Sequence, residues 1–350
     1  MADKVTITDV ARAAGVSRQT VSNTLNSPEV VREETRRHVL EVIERLGYRA
    51  NQAARQMRTG RSRLIAIRID PGGDGISGSV LDRFLHGLTE TAAHEGYRVL
   101  LYTAADDRAE IATFEDLLGS YKPDAFVLTA THHDDIRTSW LLERGLPFVA
   151  FGRPWSHLPD ARHPWVDVDG ASGTEAATRH LLAAGHRRIG FIGWPSGSGV
   201  GDDRRAGWAR TLTALGSETG GAGDLDALLR SVEDGIESGQ SAARDLLRTA
   251  APTALVCASD SLALGALQAA RSHEGGRPVA VIGFDDTPAA TAAGLTSVHQ
   301  PLAEAAAACV DLLARTLENP DAMRSPGAES SPSEQAHVLL PPSLTIRQSA

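Results

Sequence analysis

From Leu64 onward the chain alternates short apolar strands with helical stretches, and it does so twice over. LIAIRI (64–69), YRVLLYTA (97–104), AFVLTA (125–130) and PFVAF (147–151) are separated by helical patterns around 80–96, 108–119 and 134–144. The rhythm restarts with WVDVD (165–169) and a helix over 172–184, then RIGFIG (188–193) and helices over 203–215 and 238–249. ALVCAS (254–259), a helix over 261–271 and VAVIGF (279–284) complete it. Largely apolar strands that alternate with helices at βαβ spacing fit a parallel sheet covered on both faces. Two rounds argue for two doubly wound lobes with a cleft between them.

Ligands of such sheets bind beyond the carboxyl ends of the strands. Several polar residues stand there. Arg153 follows PFVAF, Asp260 follows ALVCAS, and Asp285 and Asp286 follow VAVIGF. Arg204 starts the helix after FIGWPSGSGVGDD. Carboxylates and guanidinium groups converging on a cleft suit sugar hydroxyls. Trp155, Trp165 and Trp194 are near in sequence and offer rings for stacking, although a Trp beside a strand end is more often core.

Ahead of this body lies a segment of different character. Residues 6–26, TITDVARAAGVSRQTVSNTLN, predict a helix, a tight turn and a second helix. Ala11 lets the helices approach, Gly15 gives the turn its backbone freedom, and Val21 packs the second helix on the first. Ser17 is placed to cap that second helix. Arg18, Gln19, Thr20, Ser22 and Asn23 follow, all able to reach base edges or phosphates. Residues 32–45 predict a third helix whose apolar face draws on Val39, Leu40, Val42, Ile43 and Leu46, with Glu33 and Glu34 in its first turn and Gly47 after it. Residues 51–62, NQAARQMRTGRS, can form a helix of about two turns that needs a partner to persist.

Charge divides along the same line. Residues 1–63 hold 12 Lys/Arg against 7 Asp/Glu, whereas the remaining 287 residues hold 23 against 37. A basic head on an acidic body confines phosphate contact to the head. The two cysteines, Cys257 and Cys309, sit in apolar, Ala-rich runs and read as buried thiols, so no disulfide framework is expected. The N-terminus is polar and no apolar run approaches about 18 residues, so neither a secretory signal nor a membrane span is expected and a cytoplasmic location is.

Three stretches of the head, TITDVARAAGVSRQTVSNTLN, VREETRRHVLEVIERLGYRAN and AARQMRTGRS, resemble in order and spacing the head and hinge of the lactose-repressor (LacI) family. The body stretches WVDVDGASGTEAATRHLLAAGHRRIGFIG, DDRRAGW, CASDSLALGAL, VIGFDDTPAA and HVLLPPSLTIR resemble the effector-binding core of that family. The resemblance covers residues 5 to about 347. It implies an all-α helix-turn-helix head before two lobes of the periplasmic-binding-protein kind. The implied domains are a head at 1–49, a hinge at 50–62, a first lobe at 63–162 and 295–324, and a second lobe at 163–294 and 325–350, with HVLLPPSLTIR as a last strand after a Ser/Pro-rich stretch at 325–333.

It also implies roles. Arg18, Gln19 and Asn23 match positions that enter the major groove of operator DNA. Thr6, Ser17, Thr20, Ser22 and Asn26 match phosphate contacts. Met57 falls where the family wedges Leu or Met into the minor groove, and Ala54 falls on the hinge–hinge face. Arg204, Asp260 and Asp285 match effector-binding positions; the chain has Ser259-Asp260 where the family commonly has Asn-Asp. Asp286 is expected to brace its loop. The runs FGRPW and GWPSGSGVGDDRRAGW resemble actinobacterial repressors of oligosaccharide use, which points to a glucoside such as cellobiose or maltose. No leucine heptad follows the last strand, so a homodimer on double-stranded DNA is implied, with no cofactor.

Two other classes compete. A binding protein of the periplasmic type would share the body, but the basic head and the expected lack of a signal argue against it. An enzyme would need a motif such as G-x-S-x-G, a P-loop or a G-x-G-x-x-G between strand and helix, and none is present. His132-His133 lies in a polar THHDD loop and reads as solvated. His86, His94 and His180 fall on helices without chemical partners. Neighbouring Asp285 and Asp286 do not establish the opposed geometry of acid–base catalysis.

Overall fold

The computed structural model describes residues 5–48, 60–69, 76, 78–155, 163–219, 224–273, 278–318 and 336–350. Two compact units emerge, Met1–Ser62 and Arg63–Ala350.

Among the described residues, the first unit holds three α-helices: α1 (Ile7–Ala14), α2 (Arg18–Asn26) and α3 (Glu33–Leu46). Thr6 caps α1 through a reciprocal bond with Asp9, and the capping hydrogen bonds hold the Asp9 carboxyl below its ordinary value. Gly15 ends α1 at φ 65°, a left-handed turn that a side chain resists, and Ser17 accepts from the Thr20 amide to start α2. Val10, Ala11, Ala14, Val21, Val39 and Val42 form the small core, with Ile43 and Leu46 packed on its edge. Leu40, expected on that face, instead points to solvent at 45% exposure. One residue along a helix is a rotation of about 100°, so Val39 and Leu40 cannot share one narrow stripe.

Among the described residues, the second unit contains two six-stranded sheets. The first is built from β1 (Leu64–Arg68), β2 (Arg98–Tyr102), β3 (Ala125–Leu128), β4 (Phe148–Phe151), β5 (Trp165–Val168) and a late strand, His337–Leu340. Its spatial order runs His337–Leu340, β5, β4, β3, β1, β2, all parallel. Successive side chains of a strand leave opposite faces, and here both faces are dry. Ile65, Ile67, Ala125, Val127 and Val149 pack under helices Gly78–His94 and Leu302–Glu318. Ala66, Phe126, Leu128, Phe148 and Ala150 face the other way, with Phe114, Leu117 and Leu141 from helices Asp107–Ser120 and Ile136–Glu143.

The second sheet comprises β6 (Ile189–Gly193), β7 (Leu229–Ser231), β8 (Ala254–Cys257), β9 (Ala280–Asp285), β10 (Thr296–His299) and Ser343–Thr345, the last antiparallel to β10. Its helices are Gly170–Ala183, Gly199–Thr219, Ile236–Thr249, Asp260–Arg271 and Pro288–Ala293. Helices 236–249 and 260–271 cross backbone to backbone. A Cβ on Gly265 would lie 1.9 Å from the Ile236 carbonyl oxygen, and one on Gly239 2.2 Å from that of Leu262. Gly265→Ala must therefore push the two helices apart. It should destabilise the full chain by about 1–3 kcal/mol, read as a fall in the denaturant midpoint; an unchanged midpoint would disprove the close crossing.

The sheets divide the chain differently from the sequence reading. WVDVD does not open a second lobe: Trp165 pairs beside Ala150, so β5 is the neighbour of β4 in the first sheet. Residues 296–299 stay in the second sheet, and helix 302–318 returns to the first lobe. HVLLPPSLTIR is two strands, one in each sheet, rather than one. β7 and β10 are strands that the apolar pattern does not mark. Both cysteines are free and buried. No described helix is long and apolar enough to cross a membrane. Residues 325–333 lie outside the described residues.

Candidate functional site: a helical recognition face and an interlobe cavity

Within the first unit, Ser17, Arg18 and Gln19 are exposed at the start of α2, with Thr20, Ser22 and Asn23 half-buried beside them. Gln19 donates to the Asn23 side chain at 2.8 Å, which fixes two polar ends one turn apart. Ser17 and Thr20 share a hydroxyl contact of 2.9 Å, and the Thr6 hydroxyl donates to Asp9 at 2.6 Å. Thr6 is exposed but engaged in the cap of α1, so a phosphate there would share its hydroxyl with Asp9. Asn26 is the last residue of α2. Ala54 and Met57 lie outside the described residues.

In the second unit, the carboxyl ends of both sheets face a cavity of about 350 Å³. Strand ends supply most of its polar wall. From the first lobe come Thr129–Thr131 after β3, Gly152 and Trp155 after β4, and Asp167 of β5; from the second come Trp194 after β6, Asp203 and Arg204 of helix 199–219, Asp234 and Asp285. Gln300 stands where the chain crosses back.

Arg204 is the centre of the second-lobe wall. Its guanidinium lies 3.7 Å from the ring centre of Phe284, donates to the Ala258 carbonyl at 2.6 Å and stands 3.4 Å from Asp285 Oδ1. Gln300 donates to the same carboxylate oxygen at 2.7 Å, and Arg83 of the first lobe donates to the Asp285 backbone carbonyl. Burial pushes the Asp285 carboxyl up to about 7, against the opposing pull of Arg204 and with help from the charges of Asp260 and Asp234. Asp285 holds φ 110°, and Asp286 after it φ 51°, conformations that side chains resist. Asp286 braces this loop as expected, through Arg347 at 2.7 Å and His299 at 3.1 Å.

Two expected effector contacts are placed elsewhere. Asp260 is fully buried and does not line the cavity. It accepts from the Thr287 amide at 2.7 Å and the Ser297 hydroxyl at 2.6 Å, so it holds the 285–287 turn from behind. Arg153 also sits behind the wall. It spans Asp167 at 2.7 Å and Asp203 at 2.8 Å, tying a first-lobe strand to a second-lobe helix. Ser259, the departure from the family's Asn, caps helix 260–271 and bonds Asp234.

Trp155 and Trp194 line the cavity, but Trp165 is core, stacked on His337. Asp167, Asp203, Asp234 and Gln300 are wall residues that the sequence reading passes over. Asp167 lies within a strand, Asp203 on a helix and Asp234 in a loop, so none directly follows a strand that the apolar pattern marks.

His132 is not simply solvated: its Nε2 stands 3.0 Å from Asp107. Asp107, His132 and Asp135 form a possible cation cluster, but Arg137 reaches both carboxylates, at 3.4 and 2.6 Å, and supplies the positive charge itself.

Residues 6–51 match the family described as bacterial regulatory proteins of the lacI family, and residues 178–350 match a periplasmic binding protein-like domain. The chain is 33% identical over 308 residues to the HTH-type transcriptional regulator CelR of Thermobifida fusca, covering 85% of this chain and 87% of that one. A solved CelR–cellobiose complex is 28% identical, with TM-score 0.68 over 99% of this chain and all of the other. The lac repressor dimer bound to operator and the anti-inducer ONPF shares the fold at 24% identity, with TM-score 0.78 over 99% of each chain.

Proposed function

The chain belongs to the LacI family of bacterial transcription regulators, and on that premise we propose that it is a homodimeric repressor of carbohydrate-utilisation genes, relieved by a sugar bound between its lobes. Its relatives are named as regulators, and no catalytic role is assigned to any residue. The observation that carries the sugar reading is the Arg204–Asp285–Gln300 group, which lines one cavity together with Asp203 and Asp234. A sugar hydroxyl both donates and accepts, so it suits a wall of alternating carboxylates and N–H groups. The cellobiose complex of a relative makes a glucoside the first ligand to try.

On operator DNA, Arg18, Gln19 and Asn23 are assigned to base edges, and Thr6, Ser17, Thr20, Ser22 and Asn26 to phosphates. Two copies would set two recognition helices on a pseudo-palindrome, with Ala54 pairing the hinges and Met57 in the minor groove between. Arg204 and Asp285 are assigned to the effector directly, Asp260 and Arg153 to holding the wall. Sugar and DNA must weaken each other equally if sugar releases the operator. Without a described membrane helix, a cytoplasmic regulator is the simplest placement.

The test pairs a thermal-shift screen of mono- and disaccharides with binding to a palindromic duplex across a salt series. A repressor shows steep salt dependence and a sugar that lowers operator affinity. Arg18→Ala should remove about 1–3 kcal/mol of sequence-specific binding and leave the salt slope nearly as it was. Unchanged discrimination between operator and random duplex would take Arg18 off the bases. A full sugar panel without any thermal shift would end the effector reading.

A further inference from the structure

Trp155 and Trp194 both line the cavity, one beyond β4 of the first lobe and the other beyond β6 of the second. Aromatic rings in such a place ordinarily serve as flat platforms. These two are already in use. The Arg153 guanidinium lies 4.7 Å from the ring centre of Trp155, and that of Arg204 lies 5.4 Å from Trp194. The first turn of helix Gly199–Thr219 is pressed against both. A Cβ on Gly199 would come within 2.2 Å of the Trp155 ring, and one on Gly201 within 2.9 Å of Trp194. The GSGVGDD run thus puts glycine where each indole needs room.

What the rings leave unused is their polar edge. The Nε1 atoms of Trp155 and Trp194, and Nε of Arg204, are buried without a hydrogen-bond partner among the described residues. A buried N–H without an acceptor is costly, and three on residues that line one cavity ask for oxygen atoms to receive them. The neighbouring carboxylates do not fill the need: Asp203 Oδ2 takes Arg153 and the Ala171 amide, and both oxygens of Asp167 are occupied.

We infer that Trp155 and Trp194 bind the effector through their indole N–H groups rather than their ring faces, each fixing one ligand oxygen on its own side of the cleft. This rests on the cavity being the effector site. It makes the pair selectivity determinants for oxygens at a fixed separation, and it links recognition to closure, because a single ligand must satisfy a donor from each lobe. An ammonium or a deoxy carbon at either position cannot accept the bond, so amino and deoxy analogues should be rejected.

Trp→Phe separates the two roles, since it keeps an aromatic face and removes the N–H. The full chain, Trp155→Phe and Trp194→Phe would be titrated by calorimetry with cellobiose, maltose and their monosaccharides, and melted without sugar. Each variant should bind the accepted sugar roughly tenfold more weakly. Its sugar-free melting temperature should be unchanged or higher, because an unsatisfied donor has gone. Affinity within twofold of the parent overturns the inference. So does weaker binding accompanied by a fall in the sugar-free melting temperature, which marks a packing role. If the parent chain binds no sugar, the effector reading fails separately, and the sugar-free melting temperatures still decide: a drop in both variants refutes the unsatisfied donors, and no drop upholds them.

Discussion

Arg137→Met should destabilise the first lobe by about 3–5 kcal/mol, the cost of stripping one partner from a buried charge network. The Arg137 side chain has no exposed surface. It reaches Asp135 at 2.6 Å, Glu110 at 2.8 Å and Asp107 at 3.4 Å, and donates to the Ala130 carbonyl at 3.2 Å. Glu110, equally buried, also takes Arg68 at 2.6 Å and the Tyr102 hydroxyl at 2.9 Å. Two guanidinium groups therefore serve three carboxylates. Methionine matches much of the arginine's apolar stem, so the loss measures charge rather than volume. Denaturant unfolding of the full chain reads the effect. Adding Glu110→Leu should recover part of it, because the most deeply stranded carboxylate then goes as well. A single variant within about 1 kcal/mol of the parent would mean that the network contributes little. The same change frees Ala130, a cavity residue held at φ 52°, so sugar affinity should fall with it.

That network shows where sequence reading stops. Arg68, Tyr102, Glu110 and Arg137 come from four separate elements, and nothing in their local patterns announces that they meet. Local pattern did carry the strands and helices themselves. LIAIRI, AFVLTA and PFVAF are apolar at all positions but Arg68 and Thr129 because both faces of their sheet are covered. The head was legible for a similar reason: caps, a left-handed glycine and a short apolar stripe are all local signals. Partner choice is not local. WVDVD reads the same whether it begins a lobe or joins the sheet of the previous one, and only the pairing of Trp165 with Ala150 decides. HVLLPPSLTIR hides a crossing between sheets behind two prolines.

The cavity followed the same division. Placing residues after strand ends found Arg204 and Asp285, which do face it. The rule found Asp260 and Arg153 too, but position along a strand does not fix where a side chain turns. Asp260 begins a helix and meets Ser297 and Thr287 behind it, and Arg153 folds back onto two carboxylates. Asp203 and Asp234 escaped because they lie on a helix and a loop whose approach to the cleft is a property of the tertiary structure.

Arg204→Ala should all but abolish sugar binding. Truncating one partner of a buried, hydrogen-bonded charge pair costs about 2–5 kcal/mol, which is roughly 30-fold to several-thousand-fold in affinity. The substitution removes the donor to Ala258, uncovers the Phe284 ring and leaves Asp285 with Gln300 alone at its Oδ1. It should also change how stability depends on pH. Burial holds the Asp285 carboxyl near 7, well above the ordinary carboxylate range, and Asp260 is raised by the same cause to about 6. A carboxyl raised in the native state contributes stability that is complete below its unfolded value, near 4, and is lost as pH rises through the native one. The parent chain should therefore melt lower at pH 8 than at pH 6.5. His163, driven down to about 4 by burial, has the opposite sign but acts only below its ordinary value of 6.5. Because Arg204 pulls the Asp285 carboxyl down, its removal steepens the decline above pH 6.5, whereas Asp285→Asn flattens it. Equal slopes in all three chains, measured by thermal melts with and without sugar, would show that Asp285 is not the charge Arg204 serves, and sugar bound at parental affinity by Arg204→Ala would move the effector out of this cavity.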